Sequence, residues 1–494
     1  VGSRLTINLC ANLRDSSAEP LREIKISDTI HKITIFPLYF CILLHFYICI
    51  IVLLHIFTKM KRDLLEKLVS WKNSPDRKPL ILRGARQTGK TWLIKELGRI
   101  QYDQTVYLNF ERSKHLGSLF ADDFDIRRII TALQAESGLV IKPENTLLIF
   151  DEIQSAPAAM SALKYFREDA PEYHIVAAGS LLGMALHSET FFPVGKVTFM
   201  DLHPLSYTEF LDAMGDNSLV EILQSGDWKL ITAFRLKFIE RLRQYYFVGG
   251  MPEAVSKFSE NNSFTAVRDI QKQILNGYDL DFSKHAPPAI VPRIRMLWNS
   301  IPSQLARENR KFLYGLVKEG SRAKDYEIAL SWLTYCGQIS QVSRVTKPGI
   351  PLKAYEDRSA FKIFLVDIGL LSALADLDSR TLIEGSSVFT EFRGALTEQY
   401  VLQQLVSTRQ SGIYYWSAER ATAEVDFLIQ HQGKCIPVEV KAEENLKAKS
   451  LKVFIEKFHP EISIRTSLAD FRKGERMINV PLYAIGRIRD ILGE

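Results

Sequence analysis

Hydrophobic and polar positions divide the chain into stretches of different period. Ile33 to Phe57 carries no Asp, Glu, Lys or Arg, an apolar run of 25 residues. From Pro79 onward short apolar runs appear instead: Pro79 to Leu82, Thr105 to Asn109, Leu147 to Phe150 and Tyr173 to Ala178. They alternate with stretches of helical period such as Trp92 to Leu97, a pattern that predicts an α/β fold with a parallel sheet between helices. Residues 201 to about 285 read as mostly helical. Beyond Ile294 short helices, one over Asp325 to Leu333, lead to alternating Ile339 to Val345 and a return strand over Lys362 to Asp367. Helix, turn, helix and hairpin outline a winged helix. A helix from Phe392 then precedes strands at Ile413 to Trp416, Val425 to Ile429 and Lys434 to Lys441, the last two joined by a Gln432-Gly433 turn.

The connection after the first strand is the most specific feature. Gly84-Ala85-Arg86-Gln87-Thr88-Gly89-Lys90-Thr91 fits G-x-x-x-x-G-K-[ST], between a strand and a helix. Two glycines let backbone N–H groups surround a phosphate, Lys90 reaches the β- and γ-phosphates, and the Thr91 hydroxyl ligates Mg²⁺. The phosphates would sit at a helix N-terminus, where unpaired N–H groups favour anions. This predicts binding of ATP. The third apolar run ends in Asp151-Glu152. Asp151 at that strand end would hold Mg²⁺ through water, and Glu152 would orient or deprotonate the attacking water. Ser180, ending the next strand, reads either as a catalytic group sensing the γ-phosphate or as a helix cap. Arg83 and Arg86 read either as phosphate contacts or as solvated charges.

With the phosphate loop, Phe150-Asp151-Glu152-Ile153-Gln154, Ala178-Gly179-Ser180, Leu202 to Phe210 and Gly249-Gly250-Met251-Pro252-Glu253-Ala254 resemble a prokaryotic group of AAA-type ATP-binding proteins. The similarity runs from about Met60 to the end. It implies an AAA-type ATPase joined to a C-terminal domain of unknown function. With the patterns above, the chain divides into an AAA-type core over 60–215, a helical extension over 216–290, the winged-helix-like segment over 291–385, and a C-terminal domain over 386–494. One departure concerns Gly195-Lys196, where members carry Gly-Arg. A lysine is a poor substitute for the planar fork of an arginine acting on a neighbour's phosphate.

The C-terminal region carries a second constellation. Glu398 lies on the helix, Asp426 on the middle strand, and Glu439 and Lys441 two apart on one face of the last. This order resembles the PD-(D/E)xK nuclease core, in which Asp426 and Glu439 would hold Mg²⁺ and Lys441 would position water, with Glu398 adding a carboxylate. A solvated strand face is the plainer reading. Arg322 and Lys324 at a helix start, with Lys347 and Lys353 on the wing, would meet DNA phosphates, or the module would bind protein.

Composition adds little. A 46% hydrophobic and 24% charged content excludes disordered and fibrous classes. The net charge of +6 over 494 residues permits nucleic acid without requiring it. The first 59 residues stand apart: all eight methionines lie at Met60 or later, and three of the five cysteines lie before it. Residues 1–59 read as a non-native translated segment ahead of a start at Met60, or as a membrane anchor through 33–57 with Lys59, Lys61 and Arg62 on the cytoplasmic side. With two cysteines in the remainder, the expected setting is cytoplasmic. The functional expectation is a Mg-ATP-hydrolysing protein coupled to a C-terminal half that engages nucleic acid or protein, with homo-oligomerisation open. The alternatives are a slow nucleotide-gated switch and an ATP-dependent metal nuclease.

Overall fold

The computed structural model describes residues 60–121, 123–180, 195–307, 311–381, 390–408, 412–418, 423–444 and 448–493. The expected membrane segment at 33–57 lies outside them. No helix among the described residues is long and apolar enough to cross a membrane.

The first four apolar runs form strands β1 (Leu80–Arg83), β2 (Gln104–Asn109), β3 (Thr146–Asp151) and β4 (His174–Ala178). A fifth, β5 (Thr198–Asp201), completes a parallel sheet of order β2-β3-β4-β1-β5. Alternate strand residues feed two separate cores. Leu80, Leu82, Leu147, Ile149 and Val176 pack with Leu64, Leu68 and Trp71 of α1 (Leu64–Lys72) and with Leu93, Ile94 and Leu97 of α2 (Lys90–Gln101). Ile81, Val106, Leu148, Phe150 and Ile175 face α3 (Ile126–Ser137) and α4 (Pro157–Asp169). Burial on both faces is why β1, β3 and β4 read as continuous apolar runs. His174, between the rings of Trp71 and Tyr102, shares a 2.7 Å hydrogen bond with the Tyr102 hydroxyl.

The helical region comprises α5 (Tyr207–Ala213), α6 (Arg235–Val248), α7 (Pro252–Asn261), α8 (Phe264–His285) and α9 (Val291–Leu305). Next, α10 (Ala323–Tyr335) leads into the antiparallel hairpin of β6 (Ile339–Val345) and β7 (Glu356–Leu365), followed by α11 (Ile368–Leu374). After α12 (Thr390–Ser407) come β8 (Tyr414–Ser417), β9 (Glu424–His431), β10 (Lys434–Val440), α13 (Lys449–Phe458), β11 (Ser463–Ser467), β12 (Arg472–Lys473) and β13 (Met477–Pro481). Gln432 and Gly433 both have positive φ, matching the two-residue hairpin read from sequence.

A single eight-stranded sheet, β12-β13-β11-β10-β9-β8-β6-β7, joins the β6–β7 hairpin to the C-terminal strands. The junction is parallel, pairing Arg344 with Tyr415 and Val345 with Trp416. One face shares a continuous core with the helices, from Leu205 through Tyr245, Leu330 and Phe364 to Ile488. Leu451 and Phe454 of α13 cover part of the other face.

Candidate functional site

The phosphate loop sits at the C-terminal end of β1, and its backbone is what the motif requires. Gly89 opens α2 with φ +93°. Gly84 lies where a Cβ would fall 2.3 Å from the Leu202 carbonyl oxygen, so only glycine fits. The Thr88 hydroxyl donates to Ala85 O at 2.9 Å, closing the loop. Lys90 is buried, and its Nζ donates to Gly84 O at 2.9 Å and Ala85 O at 2.8 Å. Burial lowers its pKa to about 8 against the opposing pull of Glu152 and Asp151. Phosphate oxygens are stronger acceptors than these carbonyls for an ammonium already inside the loop.

Side chains from distant segments hold the loop. Arg62, itself buried, donates to Thr88 O at 3.0 Å, to His203 O at 2.5 Å and to Glu209 Oε1 at 3.0 Å. Glu209 also completes the capping box of α5 with Ser206. Arg86 pairs with the Asp281 carboxylate of α8, and the Tyr278 hydroxyl donates to Arg86 O at 2.9 Å. Arg86 is thus engaged by a carboxylate while its side chain remains partly exposed.

Asp151 ends β3 beside α2. The Thr91 hydroxyl donates to its Oδ2 at 2.9 Å, and the Tyr107 hydroxyl donates to the same oxygen at 2.7 Å. The two sequence-predicted Mg²⁺ residues are therefore brought together, and a hydroxyl beside a carboxylate is a fitting donor set for that ion. Glu152 has φ +51°, and its Oε2 accepts from Gln154 Nε2 at 2.6 Å and from the Ser180 hydroxyl at 3.4 Å. Ser180 thus reaches Glu152, the predicted base. Arg83 forms a two-point pair with Asp201 at 2.8 and 2.9 Å. Lys196 pairs with Glu168 at 2.9 Å.

A cavity of about 600 Å³ adjoins the loop. Gly84, Ala85 and Ser180 line one wall, and Gly337, Gln399 and Gln403 of the C-terminal half line the other. Gly337, between α10 and β6, lies where a Cβ would be 3.4 Å from Ala85 N.

Residues 76–211 match the AAA domain family. Within the AAA domain fall the phosphate loop, Asp151-Glu152 and Ser180, a set that supports ATP binding and ATPase chemistry. Residues 239–381 and 393–485 match two families described as domains of unknown function, DUF8612 and DUF4143. No curated protein matches the sequence. Among solved structures the chain is similar to the Walker-type ATPase PABY2304 of Pyrococcus abyssi, at 14% identity, covering 64% of this chain and 96% of that one with a TM-score of 0.40. It is also similar to the Aeropyrum pernix ORC1 protein solved in complex with DNA, at 12% identity, 64% and 90% coverage and a TM-score of 0.27. A third is a signal-transduction ATPase with a tetratricopeptide repeat sensor from Pyrococcus horikoshii, at 13% identity, 71% and 46% coverage and a TM-score of 0.22.

In the second constellation Asp426, Glu439 and Lys441 lie together. Glu439 is buried and pairs with Lys441 at 2.8 Å. Burial first, and neighbouring Asp426 second, raise its pKa to about 7 against the lowering pull of Lys441 and Lys362. Asp426 Oδ2 accepts from Val440 N at 2.8 Å. Glu398 instead faces Lys362, a fully buried β7 lysine 3.5 Å from Glu398 and 2.6 Å from Glu424. Among the described residues no three His, Cys, Asp or Glu side chains converge to hold a metal. The solvated-face reading does not apply to Glu439, because the strand is covered there.

Of the predicted basic contacts, Lys347 lies over the Tyr355 ring and Arg322 begins α10, its N–H bonded to Asp325. Sequence reasoning missed the roles of Arg62, Tyr107, Glu209, Asp281 and Lys362. Only Glu209 left a local signal, the Ser206-x-x-Glu209 spacing of a capping box.

Proposed function

We propose that this protein hydrolyses Mg-ATP and transmits its nucleotide state to the C-terminal half. The observation that carries this reading is the convergence of Thr91 on Asp151 beside the buried Lys90. Lys90 exchanges Gly84 O and Ala85 O for β- and γ-phosphate oxygens. Thr91 and Asp151 hold Mg²⁺, which supplies charge neutralisation at the phosphates when bound. Glu152 accepts the proton of the attacking water, and Ser180 and Gln154 orient its carboxylate. The test is ATP turnover by the wild type against Glu152→Gln. A loss of at least about 100-fold with retained ATP binding supports the assignment, and unchanged turnover overturns it.

A nucleotide-gated switch is the second reading, favoured by Glu152 Oε2 being held by Gln154 at 2.6 Å. Gln154→Ala decides between them. Turnover that rises in this variant marks a restrained, switch-like enzyme, and turnover that falls marks an orienting role.

The proposed partners of the C-terminal half are DNA or protein, engaged by the α10 start and the β6–β7 wing. We further propose a cytoplasmic setting, with self-association open. A magnesium nuclease at Asp426 and Glu439 is the weakest option, because Lys441 already pairs with Glu439 at 2.8 Å and Val440 N already donates to Asp426 Oδ2 at 2.8 Å.

A further inference from the structure

The turn after α6 is pressed between two other segments. A Cβ on Gly249 would fall 2.1 Å from Asp367 Oδ1, and one on Gly250 would fall 2.2 Å from Leu205 O. From the opposite side, a Cβ on Gly369 would fall 2.5 Å from Val248 O. Asp367, fully buried between β7 and α11, fastens this contact. It accepts from Gly250 N at 2.6 Å, Leu370 N at 3.0 Å and Gln403 Nε2 of α12 at 3.0 Å. Gln403 returns its own oxygen to Ile368 N at 2.9 Å. Two residues past Gly250, Pro252 opens α7 with its Cγ 3.4 Å from where a Cβ on Gly89 would stand. Gly89 is the left-handed residue that aims the loop N–H groups into the phosphate site.

We propose that Asp367 is a positioning residue for the phosphate loop. It holds the Gly249–Pro252 turn against Gly89, and through Gln403 it ties that position to α12 of the C-terminal half. The inference rests on the ATP-binding reading and extends it. A phosphate cradle depends on its N–H groups staying within about 0.5 Å of their places. Loss of the Asp367 carboxylate leaves buried donors facing an amide, so the turn withdraws and Pro252 leaves Gly89. The coupling is reciprocal: a ligand that orders Gly89 also orders the α11–α12 contact.

The test is equilibrium binding of a ribose-labelled fluorescent ATP to the full chain, with hydrogen exchange read in parallel. Asp367→Asn is expected to weaken binding about 10-fold or more, the effect of losing a bond to a charged acceptor. Turnover at saturating ATP should stay within about 3-fold, so the loss appears in KM. Tyr400→Phe is the control, since it removes a buried bond of the same α12 to Leu482 O without touching the turn or the cavity beside the loop. It should lower the melting temperature and leave ATP affinity within about 2-fold. In the wild type, ATP should slow exchange at residues 247–253 and 365–372, and in Asp367→Asn the second segment should lose that response. Wild-type affinity in Asp367→Asn, or equal weakening by Tyr400→Phe, overturns the proposal. A wild type that binds no ATP instead defeats the functional reading beneath it. If Asp367→Asn does not fold, Gln403→Met, which leaves the carboxylate and removes one donor, is read the same way with an expected loss of about 3-fold.

Discussion

The Tyr107 hydroxyl lies 2.7 Å from Asp151 Oδ2, on the same oxygen that Thr91 reaches from the opposite element. Tyr107 comes from β2, the strand adjacent to β3, and Asn109 Nδ2 donates back to its hydroxyl at 3.3 Å. The Asp151 carboxylate is therefore oriented before any ion arrives. Such outer partners of a metal-ligating carboxylate govern affinity for the ion as much as its own position does.

Removing that hydroxyl should separate metal use from folding. Tyr107→Phe is expected to raise the Mg²⁺ needed for half-maximal ATP turnover about 10-fold. Because the ring is partly exposed, unfolding stability should fall by only about 1 kcal/mol. Magnesium titration of turnover, beside urea unfolding, checks both.

Lys362 is a second case where one atom serves two partners. Lys362→Met strips Glu398 and Glu424 of their shared cation and should cost about 4 kcal/mol of unfolding free energy at pH 7. Adding Glu398→Gln and Glu424→Gln should recover most of that loss, since the uncompensated charges then disappear. Urea midpoints of the single and triple variants decide it; a triple variant no more stable than the single one contradicts this account.

His174 makes stability pH-dependent. Burial, assisted by Arg77 and Lys72, lowers its pKa from 6.5 to about 4. Between these values the unfolded chain binds the proton and the folded chain does not, so this contribution is full above pH 6.5 and lost as pH falls toward 4. Asp63 acts oppositely, since burial and Glu209 raise it to about 6 and acid favours its folded form. The comparison must therefore be differential. The urea midpoint of the wild type should fall more between pH 7 and pH 5 than that of His174→Gln.

Two glycine substitutions should rank by space. Gly250→Ala meets the Leu205 backbone at 2.2 Å and should destabilise by about 3 kcal/mol. Gly138→Ala has nothing within 4 Å and suffers only from its φ of +70°, about 1 kcal/mol. Thermal unfolding of both measures the difference.

What was legible in sequence was local. Strands β1, β3 and β4 appear as apolar runs because each is buried on both faces, and the loop appears because its chemistry occupies eight consecutive residues. Strand β5 escaped notice: four residues at the sheet edge, none fully buried, leave no such run. Arg62 and Tyr107 act across 26 and 44 positions, and nothing near either announces its partner. Lys362 was read only as part of a return strand, because a strand lysine ordinarily points to water. The β6–β7 hairpin was visible as two strands, yet its alternation could not reveal that β8 pairs beside it.

That pairing limits how the chain can be divided or recombined. A protein ending at residue 385 would leave the β6 edge bare at Arg344 and Val345, and one beginning at 386 would leave Tyr415 and Trp416 without their neighbours. Bare edges invite pairing with other chains. Strands from both sides of that point must also meet before the sheet is complete, so a nascent chain cannot close it until β8 has been synthesised. Exchange of the last segment between related proteins therefore requires an incoming β8 that fits the resident β6 at Arg344 and Val345.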